Sequence, residues 1–262
     1  TMGQGGFQEV EQMNLFKDMV CYQEEVRDPS RMAEVLNRVI EKAFRGSAPA
    51  QINVPRDYWT QVIDIELPPI VRFERQGGGK AAIENAAKLL SKAKFPVILS
   101  GAGVVLGGAI DECKKLAEKL DAPVCNGYQH NDSFPGSHPL AVGPLGYNGS
   151  KAAMELISKA DVVLALGTRL NPFSTLPGYG IDYWPKKATI IQVDMNPDRI
   201  GLTKKVSVGI CGDAKQVAQQ IIEKLSSDAG NTGREERKNL IHKTKSAWLQ
   251  TLSGLDHEED DP

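Results

Sequence analysis

Apolar residues along this chain fall into two rhythms. Five short runs, at residues 97–99, 122–125, 162–166, 189–193 and 206–211, are apolar with little polar alternation. Such runs suit strands buried on both faces of a parallel sheet. Around them, apolar residues recur at the three- and four-residue intervals that line one face of a helix. Ile110, Cys113, Leu116, Ala117 and Leu120 are one such set, and Val217, Ala218, Ile221, Ile222 and Leu225 are another. Similar spacing spans 32–44, 80–94 and 150–160. Strands and helices alternate, which predicts an α/β fold: a doubly wound parallel sheet, Rossmann-like, with partial flanking α/β segments.

Turn chemistry sets the expected boundaries. Asp28-Pro29 supplies an N-cap and a first helical residue, and Gly46 is expected to stop that helix. Residues 51–54 read as a short strand ending at Pro55-Arg56-Asp57. Between 60 and 79 no period persists, and Pro68-Pro69 with Gly77-Gly78-Gly79 predict an extended, mobile connection. The expected organisation is a partial segment over 1–65, a linker over 66–79, a complete domain over 80–225, and a polar tail over 226–262. That tail holds one amphipathic helix at 237–252 and an acidic, disordered terminus, and it cannot complete a second core. Residues 126–149, rich in Gly, Pro, Asn and His, are too many for a plain connector and are expected to be functional or to carry local structure.

Composition narrows the classes. Hydrophobic content of 41% and charged content of 24% are those of an ordinary soluble protein. A net charge of -2 argues against a broad surface for nucleic acid or anionic membrane. No apolar run approaches the ~20 residues of a membrane span, and no signal-peptide pattern opens the chain. The expectation is a cytoplasmic protein. Cys21, Cys113, Cys125 and Cys211 are scattered without CxxC spacing, and Cys113 and Cys211 lie in apolar patterns, so buried reduced thiols are expected.

Candidate chemistry gathers at strand ends. Gly101 to Gly103, Gly167 to Arg169 and Asp194 to Asn196 all follow apolar runs, and in a parallel sheet such ends share one edge, where nucleotides bind. Gly101-Ala102-Gly103 lacks the third glycine of G-x-G-x-x-G. Its glycines allow close approach of a ligand or of another backbone. Asp194 could accept from ribose hydroxyls or serve as a turn former, and Arg169 could meet a phosphate or a carboxylate. His130 and His138, near Asp132, lack the spacing of a metal site, and no metal is expected. No G-x-S-x-G, H-E-x-x-H or Walker loop occurs.

Taken together, GGFQEV at 5–10, INVPRD at 52–57, PVILSGAGV at 96–104, SFPGSHPLAVGPLGYNGS at 133–150, ADVVLALGTRL at 160–170 and IIQVDMNPDRIG at 190–201 resemble the thiamine-diphosphate enzymes of the acetolactate synthase type. The resemblance covers residues 1 to about 225. It implies the tail of a pyrimidine-binding domain over 1–65, a whole central domain over 80–225, and the lead into a pyrophosphate-binding domain over 226–262. It implies thiamine diphosphate and Mg²⁺ in a full-length homodimer or homotetramer. The activating glutamate would lie before Thr1 and the Gly-Asp-Gly…Asn-Asn metal motif after Pro262. Gly212-Asp213-Ala214 would be the end of the central domain, not that motif, so this chain is expected to be inactive alone.

Within that family the wording at 126–154, NGYQHNDSFPGSHPLAVGPLGYNGSKAAM, resembles the members that carry out acyl transfer, which implies sulfoacetaldehyde and phosphate giving acetyl phosphate and sulfite. Phe7 and Gln8 match a pair bordering the active site in this family, and Arg56 stands where the family has a basic residue near substrate. The central domain of these enzymes binds FAD, and in relatives ADP or nothing. Gly101, Gly103, Gly146, Asn148, Arg169 and Asp194 match positions around that pocket. Two departures stand out: Asn171-Pro172 replaces an acidic pair, and Tyr147-Asn148 replaces methionine-histidine. The other readings are acetolactate synthesis, a free-standing nucleotide-binding module, or a structural domain that fixes the geometry of its neighbours.

Overall fold

The computed structural model describes residues 3–7, 9–69 and 74–255. It divides into two compact units, Thr1–Phe73 and Glu74–Pro262. The acidic terminus expected to be disordered lies outside the described residues.

The first unit begins with α1 (Gln12–Phe16) and β1 (Tyr22–Glu25), then α2 (Met32–Gly46) and β2 (Ala50–Asn53). The two strands are parallel, with Tyr22 opposite Ala50 and Glu25 opposite Asn53. Asp28 caps the turn before α2, its carboxylate accepting from the Ser30 amide at 2.9 Å, and Pro29 follows it. Gly46 stays inside the helix; the stop is Ser47, which takes a left-handed φ of 45° while its amide bonds back to the helix. Val26, Val35 and Val39 form a small core. β1 was not expected, because Tyr-Gln-Glu-Glu has no apolar rhythm. Its place is set by pairing with β2 and by Glu24, whose carboxylate takes Nε and Nη2 of Arg38 at 2.8 and 2.6 Å.

The second unit starts at α3 (Lys80–Lys92) and β3 (Pro96–Ser100), followed by α4 (Ala102–Leu106), α5 (Ile110–Leu120) and β4 (Val124–Asn126). Then come β5 (Ala141–Pro144), α6 (Lys151–Ile157), β6 (Val162–Leu166), β7 (Thr189–Asp194), β8 (Val208–Cys211), α7 (Ala214–Lys224) and α8 (Arg234–Leu255). Six strands form one sheet in the order β5-β4-β3-β6-β7-β8. Every pairing is parallel. Counted within this sheet the order is 3-2-1-4-5-6, the Rossmann order, and it reverses between β3 and β6. All five residues of β3 and of β6 are buried, so both faces are covered. The sixth strand, β5, lies inside the long segment 126–149 and supplies the local structure expected there. Its Ala-Val-Gly-Pro sequence carries two half-buried residues, so no apolar run announces it.

The segment before α3 is held in place. Arg75 Nη1 reaches Asp213 Oδ2 and Gly107 O, each at 2.9 Å. Gln76 O accepts the Asp213 amide at 2.7 Å, and Gly77 O accepts Gln220 Nε2 at 2.7 Å. A Cβ on Gly78, where φ is 83°, would press against Ile210. The glycines that predicted mobility therefore let the backbone of residues 76–78 lie close against β8 and α7.

The segment after Leu225 packs onto the same unit through Arg237, which is 1% exposed. Its Nε donates to Asp121 O at 2.9 Å. Nη1 donates to Lys94 O and Thr232 O at 2.6 and 2.9 Å, and Nη2 to Leu120 O and Gly230 O at 2.9 and 2.6 Å. All five N–H groups of the guanidinium are used on carbonyls. Arg234 pairs with the Asp121 carboxylate alongside. Further along α8, Lys245 Nζ donates to His138 O and Pro139 O at 3.2 and 2.8 Å. Lys94 stands just ahead of β3, Leu120 and Asp121 ahead of β4, and His138 and Pro139 ahead of β5, so α8 closes the amino edge of the sheet.

Two outcomes follow from these contacts. Arg237→Met leaves five carbonyls without their donor and should cost about 3–5 kcal/mol, the range for removing one member of a buried charged network. Arg237→Lys should recover only part of it, since an ammonium has three donors; urea unfolding of both variants reads the difference. In the first unit, the hydrogen bonds from Arg38 hold the Glu24 carboxyl down at about 2, from an ordinary 4.5. A depressed carboxyl stabilises fully above 4.5, and that contribution fades as pH falls through about 2. The Val26 amide, bonded to Asn53 O, should lose protection over that window in the native chain, and Glu24→Gln should remove this part of its pH dependence.

Candidate functional site

The carboxyl edge of the six-stranded sheet collects Gly101 and Gly103 after β3, Gly146 and Asn148 after β5, Arg169 after β6, and Asp194 at the end of β7. The glycines face backbone. A Cβ on Gly101 would lie 2.6 Å from Thr168 Cβ and 2.7 Å from Gly167 O. One on Gly103 would lie 2.7 Å from Gly167 Cα, and the Gly103 amide donates to Gly167 O at 2.8 Å. Gly167 itself has a φ of 61° and returns the contact. A Cβ on Gly146 would overlap Phe173 O. Of the two approaches that glycines permit here, the one realised is between loops.

Asp194 is buried, and its Oδ1 accepts the Asn196 amide at 2.9 Å, which makes it a turn former. Arg169 is exposed and its guanidinium has no partner among the described residues. It is projected by a braced loop. Gly167 and Leu170 both take left-handed backbone, Thr168 Oγ1 accepts the Leu170 amide at 3.3 Å, and Thr203 Oγ1 donates to Leu170 O at 2.7 Å. Asn148 is exposed with a φ of 56°, a conformation asparagine tolerates better than most residues.

Several residues at this edge escaped the sequence reading. Gln192, buried in β7, donates to Thr168 O and Arg199 O at 3.2 Å and accepts the Gly201 amide at 2.8 Å. It ties the β6 and β7 loops together; a lone polar residue in the run IIQV was its only signal. Ser100 and Ser133 exchange hydroxyl-to-carbonyl bonds at 3.2 and 3.3 Å, and Asn126 Nδ2 reaches Ser133 Oγ at 3.0 Å. That buried set pins the loop after β4 to the end of β3. The Tyr128 and Phe173 rings stack with centroids 5.9 Å apart.

In the first unit, Phe7 is 95% exposed and Gln8 lies outside the described residues. Arg56 is exposed in the turn after β2, without a partner among the described residues. His138 Nε2 meets Glu118 Oε1 at 3.1 Å. Among the described residues no three His, Cys, Asp or Glu side chains gather as a metal site. The four cysteines are free. Cys113 and Cys125 are buried, and burial pushes the Cys113 thiol up to about 12; Cys211 is only half-buried. Among the described residues no helix is long and apolar enough to cross a membrane.

Comparison with known proteins adds a family. The chain is 79% identical over all 262 residues to a probable sulfoacetaldehyde acetyltransferase of Rhizobium meliloti, covering 44% of that protein. It is 78% identical over the same span to a sulfoacetaldehyde acetyltransferase of Roseovarius nubinhibens, covering 43%. A probable acetolactate synthase large subunit of Methanocaldococcus jannaschii is 32% identical over 97% of the chain, which spans 42% of it. The chain thus spans less than half the length of these relatives. The crystal structure of benzoylformate decarboxylase from Polynucleobacter necessarius shares the fold, with a TM-score of 0.73 at 22% identity, over 86% of this chain and 42% of that one. Residues 83–221, more than half of the chain, match the model described as thiamine pyrophosphate enzyme, central domain, and the chain therefore belongs to the thiamine pyrophosphate enzyme family.

Proposed function

We propose that this chain is part of a sulfoacetaldehyde acetyltransferase, which converts sulfoacetaldehyde and phosphate to acetyl phosphate and sulfite. The observation that carries this reading is the gap in identity. Relatives of that name match at 79% and 78%, against 32% for the acetolactate synthase. Residues 1–65 would be the tail of the pyrimidine-binding domain, 80–225 the central domain, and 226–262 the lead into the pyrophosphate-binding domain. The whole enzyme would work as a homodimer or homotetramer, and four free thiols suit a reducing cytoplasm.

Thiamine diphosphate, which would be held with Mg²⁺ by other parts of the enzyme, would supply the electron sink for the carbonyl carbon. This chain supplies a rigid α/β body in its second unit. Its first unit offers Phe7 and Gln8 as border residues and Arg56 as the anion partner. A guanidinium matches a sulfonate or phosphate with two parallel hydrogen bonds, and Arg56 is exposed with its donors unclaimed among the described residues.

Two assays test the reading. The full-length enzyme should release sulfite and acetyl phosphate from sulfoacetaldehyde and phosphate, while the isolated chain should not; acetolactate formed from pyruvate instead would replace the reading with its runner-up. In the full-length enzyme, Arg56→Ala should raise the KM for sulfoacetaldehyde or phosphate roughly 10- to 100-fold, the loss expected for a charged hydrogen bond worth about 1.5–3 kcal/mol. Unchanged KM values for both anions would remove Arg56 from the site.

A further inference from the structure

The acetolactate synthase type implies FAD or ADP in the central domain, and the carboxyl edge does not fit either. In a Rossmann-ordered sheet a dinucleotide lies across the strand ends where the order reverses, here over β3 and β6, with its phosphates against the amides that follow the first strand. Three of those amides are already used. Gly101 N donates to Leu166 O at 3.1 Å, Gly103 N to Gly167 O at 2.8 Å, and Val104 N to Gly101 O at 3.0 Å. The glycines leave no cradle beside them, since a Cβ on either would strike the 167–168 loop.

A second segment crosses the same place. After β6 the chain makes a 3₁₀ turn at Pro172–Ser174, with Asn171 Oδ1 accepting the Ser174 amide at 3.1 Å and proline in the first position. From there Ser174 Oγ accepts the Tyr128 amide at 3.0 Å, and Phe173 O accepts the Tyr147 amide at 3.2 Å. Tyr128 follows β4 and Tyr147 follows β5, yet β3 stands between β6 and both of them. The turn therefore passes over the carboxyl end of β3 to reach its partners. Phe173 stacks on Tyr128 along the way. Both departures from the family pattern sit in this crossing: Asn171-Pro172 builds and caps the turn, and Tyr147-Asn148 receives it.

We infer that the crevice at the reversal of strand order is sealed by the Asn171–Thr175 segment, so that this domain takes no FAD or ADP there and its edge works as a self-bonded rim. The inference goes beyond the proposed acyl transfer and does not depend on it. Titrating the full 262-residue chain with FAD and with ADP, by calorimetry and flavin fluorescence, should give no saturable signal at millimolar ligand. Hydrogen exchange of the ligand-free chain should show the Gly103, Tyr128 and Tyr147 amides strongly protected. One-to-one binding of either nucleotide would overturn the inference, and so would exchange of these amides at unprotected rates.

Discussion

A parallel sheet leaves backbone groups at its two edges that the strand ladder no longer pairs, and burying them without partners costs more than most side-chain contacts return. That constraint organises the second unit. At the amino edge the carbonyls ahead of β3 and β4 converge on Arg237, and those ahead of β5 on Lys245. At the carboxyl edge amides and carbonyls pair between loops, Gly103 with Gly167 and Tyr147 with Phe173. One edge is closed by cationic side chains from a single helix, the other by the loops themselves.

The difference suits the chemistry of each edge. Carbonyls cluster at the amino edge because Leu120 O and Asp121 O at the end of α5 meet Lys94 O there, and a planar cation with five donors can serve many of them at once. The carboxyl edge offers both donors and acceptors, so the loops can satisfy one another if they come close enough. Gly101, Gly103, Gly146 and Gly167 make that approach possible, because a Cβ at any of them would meet the opposite backbone.

Much of the fold was legible from local pattern. Residues 162–166 matched β6, the stripe 110–120 matched α5, and Asp28 capped the turn before α2 through the Ser30 amide. What escaped depends on partners far along the chain. β1 and β5 are strands because β2 and β4 pair with them, and neither carries an apolar run. The same holds at the candidate site. Gly101 and Gly103 could be read as permitting close approach, but whether a ligand or a backbone would arrive was a question of tertiary placement. So was the role of Gln192, whose three partners lie in two other loops.

The placement of Arg237 also bears on how the chain is made. Its donors reach back to Lys94 and Leu120, across 143 and 117 residues. During synthesis the sixth strand is complete at Cys211, but the cation that covers the amino edge follows 26 residues later (237 − 211). At 5–20 residues per second that interval lasts about 1–5 s. Through it a nascent chain with all six strands still presents uncovered carbonyls ahead of β3, β4 and β5. Polypeptide released before Arg237 would keep that edge open.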